Sequence, residues 1–372
     1  MGQERTNILI PTQRAHFDDG ELLAIQKVLN SRWTGRGPIT QQLERQFLNL
    51  TEAQYAIAVQ SGTAALHLAL EVSKELGVIN PGQKVIVPSQ TFAATIQAID
   101  MSGLTPVFCD VQPNTLNMDP WHLAQLIDSE TKIILPVHYR GEVCDMDTIM
   151  AVAGRSNLWV VEDAAHALGS TYNGRPVGSL GHITCFSMDH IKNGTMIEGG
   201  IVTTNISEVA HLVSRMSNLG FHQGEIQGRG FRYHATDYNA AVGTVQLGRL
   251  EEYKTRRREI AHRYQEDLKN IPGLGLLDIC LTDTVPFMYV ALVTDNKRDG
   301  LKDFLQERGI ETLVRYDPNH LQPYFVNKFG PTSLPVTEET YSQLLVLPLF
   351  YELTDSQQGY VIESIEDFFS KV

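Results

Sequence analysis

Short apolar runs alternate along the chain with longer segments whose apolar residues recur at helical spacing. Runs rich in β-branched residues predict strands at residues 54–59, 84–87, 106–110, 132–137, 158–162 and 183–187. Helical segments over residues 64–75 and 93–101 separate the first three of these runs. Continuous apolar runs are typical of strands buried on both faces, and helix-length connections favour parallel pairing. The first half of the chain therefore predicts a mostly parallel sheet flanked by helices.

The pattern changes in the second half of the chain. Residues 237–268 carry one long, highly charged helical signal, and the rest mixes helices with short strands such as residues 288–292. We predict an α/β fold with a large domain over residues 1–245, which includes the N-terminal segment, and a smaller C-terminal α+β domain over residues 246–372. The arginine run at residues 256–258 shares its helix with several glutamates, which indicates a salt-bridged, solvent-facing surface.

Composition narrows the class of protein. The 372 residues include 30 Lys plus Arg and 43 Asp plus Glu, a net charge of −13. This acidity argues against nucleic-acid binding, and no apolar run approaches the ~20 residues that span a bilayer. The N-terminus lacks the pattern of a secretory signal, and the four widely separated cysteines indicate neither a disulfide framework nor a metal site. We expect a cytoplasmic enzyme without a metal and without a membrane or nucleic-acid partner.

Three features of the first half carry candidate chemistry. Asp163 ends a predicted buried strand, so it should face the crevice where open α/β sheets bind ligands. Lys192 follows 29 residues later and could form a Schiff base with an aldehyde. The turn Ser61-Gly62-Thr63 precedes a helix, whose N-terminus favours a phosphate. Singly, each feature is more often an ordinary cap or surface charge. Together, a phosphate turn, a carboxylate for a ring nitrogen and an amine predict pyridoxal phosphate (PLP).

Motifs along nearly the whole chain carry a family resemblance. In chain order they include RWTGRGPITQQLERQF, SGTAALHLAL, VIVPSQTFAAT, VVEDAAHALGS, CFSMDHIKN and GFRYHATDYNAAVG. The sequence resembles the sugar aminotransferases of the DegT/DnrJ/EryC1/StrS family. That resemblance implies the aspartate-aminotransferase fold (fold type I), a PLP/PMP cofactor and transaminase activity.

The resemblance also implies roles for individual residues. Lys192 would hold PLP as the internal aldimine and then move a proton between the cofactor and the sugar carbon, while Asp163 would pair with the pyridinium nitrogen. The other implied cofactor contacts are Gly62, Thr63, Phe92, His166, Ser187 and Arg232. Within that set, His166 stands where the family usually has a glutamine that contacts O3′ of the ring. Either ring nitrogen of a histidine could do so, which leaves its tautomer open.

The chain departs from the family pattern in two motifs. Met188-Asp189 replaces an aromatic–histidine pair before the lysine, so a carboxylate would lie near the Schiff base or point to solvent. Arg232 and His234 stand where the family commonly has asparagine and arginine. In the family this loop reaches the partner's cofactor phosphate, which implies a homodimer with shared active sites.

Fewer residues indicate how a substrate would bind. By resemblance, Thr34, Tyr316 and His320 would contact the substrate, and Arg229, Arg315 and Lys328 are candidates for binding a pyrophosphate. The expected reaction moves an amino group from an amino acid, L-glutamate above all, to the C4 or C3 ketone of a nucleotide-linked deoxy sugar. Three alternatives stay open: a PLP/PMP-dependent sugar dehydratase, amination of a keto-cyclitol, and a non-catalytic PLP-binding regulator.

Overall fold

A computed structural model describes residues 10–371 of the chain. Up to residue 217 its elements are α1 (Asp19–Ser31), α2 (Pro38–Thr51), β1 (Tyr55–Val59), α3 (Gly62–Glu75), β2 (Lys84–Pro88), α4 (Ala93–Met101), β3 (Thr105–Cys109), α5 (Pro120–Leu126), β4 (Thr131–Ile134), α6 (Met146–Ser156), β5 (Trp159–Asp163), β6 (Thr171–Tyr172), β7 (Arg175–Pro176), β8 (Ile183–Ser187), β9 (Gly200–Thr204) and α7 (Ser207–Ser217). The rest are β10 (Phe221–His222), β11 (Glu225–Ile226), α8 (Asp237–Gly248), α9 (Leu250–Leu268), β12 (Leu274–Leu276), β13 (Tyr289–Val293), α10 (Arg298–Glu307), α11 (Pro323–Phe329), α12 (Pro335–Gln343), β14 (Leu344–Leu347) and α13 (Asp355–Lys371).

The central sheet has seven strands in the order β1-β9-β8-β5-β4-β2-β3. From β8 through β5, β4 and β2 to β3 all neighbours pair in parallel, whereas β9 runs antiparallel to both β1 and β8. The mostly parallel sheet predicted from the sequence is confirmed. Strand β9 was missed because its apolar run is short and directly follows two glycines.

Both faces of this sheet are covered. On β2, Val85 and Val87 pack with the core that contains α3, α4 and α7, while Ile86 packs on the opposite face with Ile134 and Val160. All five side chains are fully buried. Burial of each side chain contributes on the order of 1.5–3 kcal/mol to the free energy of folding. Because these strands are buried on both faces, they appear in the sequence as continuous apolar runs.

The predicted long helix is two helices. Arg249 separates α8 from α9, with φ −106° and ψ 3°, and its guanidinium donates to Asp18 at 2.6 Å. The prediction of one helix was therefore wrong, because Gly248 weakens the helix there and the ion pair draws Arg249 toward α1. The division into domains at residue 245 stays a prediction, and that residue lies inside α8.

A second core lies near the C-terminus. Strands β12, β13 and β14 form an antiparallel sheet on which apolar residues of α9, α10 and α13 pack. Ile10, 3% exposed, belongs to the same core and pairs with Ile310. Its N–H donates to the carbonyl of Gly309 at 3.1 Å, and the N–H of Glu311 donates to Ile10 at 2.9 Å. The beginning of the described chain is thus built into the C-terminal core.

Within residues 10–371, no helix combines the length and the apolar composition needed to cross a membrane.

Candidate active site

One cavity of about 280 Å³ collects most of the predicted site residues. It lies at the ends of β5 and β8 and at the beginning of α3. Of the residues predicted to bind the cofactor, it is lined by Gly62, Thr63, Phe92, Asp163, His166, Ser187 and Lys192. These residues come from segments up to 130 positions apart, from Gly62 to Lys192. The sequence motifs therefore converge on a single concave site.

The carboxylate of Asp163 is fixed at the inner end of this cavity. Its side chain is 4% exposed, accepts a hydrogen bond from the Thr95 hydroxyl at 2.7 Å and accepts another from the N–H of Ala165 at 3.1 Å. Burial raises the pKa of Asp163, against the effects of these two bonds and of the nearby Lys192 charge. A buried carboxylate with few donors favours a ligand that brings a positive N–H group to it.

Lys192 lies in the loop after β8 and reaches the same cavity. Its Nζ is 4.4 Å from the centroid of the Phe287 ring. Burial lowers the pKa of Lys192 to about 8, although the Asp163 and Asp189 carboxylates oppose that shift. Near neutral pH this amine is unprotonated far more often than an ordinary surface lysine, which suits it to attack a carbonyl carbon.

The start of α3 forms a cradle for an anion. Ser61 caps the helix, with its hydroxyl accepting from the N–H of Ala64 at 3.1 Å. A Cβ at Gly62 would come within 2.8 Å of Ser187 Cβ, and one at Gly200 within 2.5 Å of the Ser61 carbonyl oxygen. Only glycine fits at both positions, so backbone and hydroxyl donors meet closely where the helix dipole favours a phosphate.

His166 lines the cavity and has one ring nitrogen that is unpaired within residues 10–371. It is buried, stacks on Phe287 with centroids 4.2 Å apart, and its Nε2 hydrogen-bonds with the Tyr316 hydroxyl at 3.1 Å. Within the described part of the chain, its buried Nδ1 has no hydrogen-bond partner. Such an atom requires a polar group from whatever fills the cavity.

Asp189, which departs from the family pattern, lies at the cavity and is partly exposed to solvent. It lines the cavity beside Lys192, and its Oδ1 lies 2.7 Å from Nδ1 of His190, whose side chain is largely exposed. The carboxylate thus adds negative charge to the site from a position near solvent.

Arg232 lies outside the main cavity. It is exposed in an adjoining cleft of about 640 Å³ that shares Ser61, Thr63 and Glu198 with the cavity. His234 lines the same cleft.

The loop that carries Arg232 is firmly held. Arg229 forms an ion pair with the buried Glu71 at 3.2 Å, and the Tyr233 hydroxyl hydrogen-bonds with Nδ1 of His67 at 3.2 Å. The sequence analysis named Arg229 and Lys328 as candidates for binding a pyrophosphate. In the structure Arg229 is paired with Glu71 and Lys328 with Asp100, and neither residue lines the cavity or the cleft.

The three predicted substrate contacts lie in different settings. Tyr316 contacts the wall of the cavity through His166 and through Phe92, whose ring centroid is 5.5 Å away. Thr34 is exposed in the loop between α1 and α2 and lines neither cavity nor cleft.

The structure does not bring His320 to the cavity. Its side chain is fully buried, with Nδ1 bonded to the Ser89 hydroxyl at 2.7 Å and Nε2 to Glu338 at 3.2 Å. Since both ring nitrogens are engaged inside the protein, no group is left for a substrate.

Sequence reasoning missed two residues of the site. Thr95 holds Asp163, and the only local signal was its place one turn after Thr91 at the start of α4. Phe287 supports Lys192 and His166 from the distant segment before β13. No motif marks it, since only tertiary packing brings it to the site.

The residues present fit pyridoxal phosphate. The cradle at Gly62 matches a phosphate, Asp163 matches a protonated ring nitrogen, and Nδ1 of His166 matches a ring oxygen. Lys192 supplies the amine, and Phe92, 58% exposed, lines the cavity.

Comparisons with known proteins agree with this chemistry. The model of the DegT/DnrJ/EryC1/StrS aminotransferase family matches residues 16–366. The spore coat polysaccharide biosynthesis protein SpsC of Bacillus subtilis (strain 168) is 36% identical, with 98% of each chain covered. Aminotransferase TlmJ from Streptoalloteichus hindustanus superposes with a TM-score of 0.92 at 32% identity, covering 98% of this chain and 99% of that one.

Spr1654 of Streptococcus pneumoniae, named a sugar aminotransferase, also has a TM-score of 0.92 in its PMP-form, at 30% identity, covering 97% of this chain and 98% of its own. It has been solved in the PLP-form as well. With a family match over nearly the whole chain, and with the amine, the carboxylate and the phosphate cradle in one cavity, the chain belongs to the DegT/DnrJ/EryC1/StrS family and is a PLP-dependent aminotransferase of the sugar aminotransferase type.

Proposed function

We propose that this enzyme transfers an amino group from L-glutamate to the C4 or C3 ketone of a nucleotide-linked deoxy sugar. The observation that carries the reaction class is the opening of Lys192 and Asp163 onto one cavity beside the cradle at Gly62. The substrate class draws support from the polysaccharide role in the name of SpsC and from the cleft of about 640 Å³ that adjoins the cavity. That cleft gives a substrate much larger than a simple sugar room to extend.

In this reaction the residues of the cavity would have separate roles. The chemistry that pyridoxal phosphate supplies when bound is temporary storage of an amino group and of an electron pair. Lys192 would hold the cofactor covalently and would move protons with its Nζ. Asp163 would keep the ring nitrogen protonated, and Thr95 and the N–H of Ala165 hold its carboxylate in place. Phe92 limits the access of water.

The substrate proposal is tested by a panel of acceptors. We expect a nucleotide-linked 4-keto or 3-keto deoxy sugar, mixed with enzyme and L-glutamate, to yield the amino sugar and 2-oxoglutarate in equal amounts, measured by mass spectrometry. A deoxygenated keto sugar as product would indicate the dehydratase instead. Amination of a keto-cyclitol alone would overturn the substrate class, and no amination of any acceptor would overturn the proposal.

We further propose a homodimer in which Arg232 contacts the cofactor phosphate of the partner. Arg232 is exposed on a well-held loop, and no carboxylate of residues 10–371 forms an ion pair with it. An exposed guanidinium without an acidic partner, next to a phosphate cradle, suits phosphate binding. Within its own chain the same side chain adjoins the cavity, so a test must separate the two sites.

Mixed dimers, in which one subunit carries Lys192→Ala and the other carries Arg232→Ala, distinguish a contact to the partner's site from a contact within the same chain. Arg232→Ala alone should weaken cofactor binding about tenfold or more, because a charge-assisted hydrogen bond is lost. If Arg232 acts on the partner, the mixed dimer has one intact site and regains roughly half of wild-type activity per dimer. Activity no higher than that of Arg232→Ala would place the contact within one chain. An active monomer in light scattering would remove the dimer proposal.

A further inference from the structure

We propose that Tyr316 is a positioning residue that fixes the tautomer of His166, so that Nδ1–H of His166 faces the cavity as a donor to the ring oxygen of the cofactor. The proposal rests on the cofactor placement given above. It explains how a histidine can serve where the resemblance implies a glutamine, whose amide N–H is always available.

The imidazole of His166 has a fixed position. Phe287 stacks on it at 4.2 Å with an interplanar angle of 13°, and the Tyr316 ring lies nearly parallel at 19°, with centroids 5.9 Å apart. The Tyr316 hydroxyl reaches Nε2 at 3.1 Å, whereas the buried Nδ1 has no partner in residues 10–371, and His166 lines the cavity. The two nitrogens therefore have distinct surroundings: one is bonded within the protein, and the other is left for a ligand in the cavity.

Both members of the pair are neutral near physiological pH. Burial lowers the pKa of His166 well below its usual value, and the nearby cations Lys192 and Arg315 lower it further. Burial raises the pKa of Tyr316 to about 12, so its hydroxyl keeps its proton. One proton is thus shared between two imidazole nitrogens, and the hydrogen bond at Nε2 decides where it lies.

The hydrogen-bond inventory favours one tautomer. In the described part of the chain, the Tyr316 hydroxyl has no acceptor within hydrogen-bond distance other than Nε2 of His166. If Nε2 carried the proton, the O–H of the half-buried Tyr316 would lose its one acceptor in the described part of the chain, which is unfavourable. With Tyr316 as the donor, its proton is used and the imidazole proton lies on Nδ1. Lys192 does not satisfy Nδ1 either, since no hydrogen bond joins the two residues.

The tautomer is read directly by ¹⁵N NMR of histidine-labelled protein, before and after PLP is added. We expect wild type to show a protonated Nδ1 and an unprotonated Nε2 in both states, with the Nδ1–H resonance shifting when PLP binds. Tyr316→Phe should move the proton partly or wholly to Nε2. Tyr139→Phe is the matched control, because it removes the hydroxyl of a fully buried tyrosine near His166 that does not bond to it, and it should leave these resonances unchanged.

A double-mutant cycle supplies the functional readout. Tyr316→Phe should lower kcat about tenfold in the wild-type background, but less than about twofold in His166→Gln, because glutamine needs no tautomer to be set. A protonated Nε2 in wild type, or equal losses in the two backgrounds, would overturn the proposal. If the tautomer is as proposed but PLP leaves the Nδ1–H resonance unchanged, the cofactor placement is wrong rather than the role of Tyr316.

Discussion

Lys192→Ala protein is expected to lose turnover by about 10³-fold or more and to lose the absorbance band of lysine-bound cofactor. The variant lacks both the covalent attachment point and the amine that moves protons, and proton transfer alone contributes about 10²- to 10⁴-fold. We propose this dual role for Lys192 because its side chain and that of Asp163 line the same cavity. The measurements are a steady-state rate and an absorbance spectrum of the purified protein with PLP.

Two further variants make this result specific. Lys192→Arg keeps a positive charge but offers no amine for covalent attachment, so it should lose the absorbance band as completely as alanine does. Lys269→Ala removes an exposed lysine paired with Glu266 at 2.7 Å and should behave as wild type. Retention of both the band and the turnover in Lys192→Ala would show that another residue holds the cofactor.

Asp163→Asn is expected to lower kcat about 10²- to 10³-fold with a smaller change in KM. Asparagine has nearly the same shape and can still accept from Thr95, but it carries no negative charge to keep the ring nitrogen protonated. The loss should fall within the range measured when one preorganised electrostatic group is removed from an active site.

Thr95→Val separates charge from orientation in the same measurement. It keeps the carboxylate and the shape at position 95 but removes the 2.7 Å hydrogen bond that orients Asp163. Its kcat should fall by less than that of Asp163→Asn. If Asp163→Asn keeps wild-type kcat, or if Thr95→Val is the more damaged protein, the assignment of Asp163 to the ring nitrogen is wrong.

The residues at the centre of the proposed site could be selected from the sequence because local rules act on them. A carboxylate at the end of a buried parallel strand must face the ligand crevice, and a small-residue turn before a helix must expose backbone N–H groups. Asp163 and Gly62 follow these rules, and the cavity contains both. Such inferences need only the element type and the position of the residue within it.

The features that the sequence did not predict depend on contacts between distant segments. Phe287 contacts Lys192 and His166 because of how the irregular segment before β13 packs, and the local sequence around it carries no trace of that role. Arg257 was predicted on a solvent-facing surface, yet it is 4% exposed and donates to the carbonyls of Pro286 and Phe287 at 3.2 and 3.3 Å. The charge of Arg257 could not show that its guanidinium is buried and bonds to these two backbone carbonyls. His320 was wrongly predicted as a substrate contact because its position also depends on distant segments. Ser89 and Glu338 form hydrogen bonds with its two ring nitrogens.

The pairing of Ile10 with residues 309–311 has a consequence for biosynthesis. The segment around Ile10 leaves the ribosome about 300 residues before its partner segment. The C-terminal core therefore cannot close until residue 311 has been made, and the segment around Ile10 must wait with an unpaired backbone edge. A C-terminal fragment produced on its own would lack Ile10 and the two backbone hydrogen bonds that seal that edge.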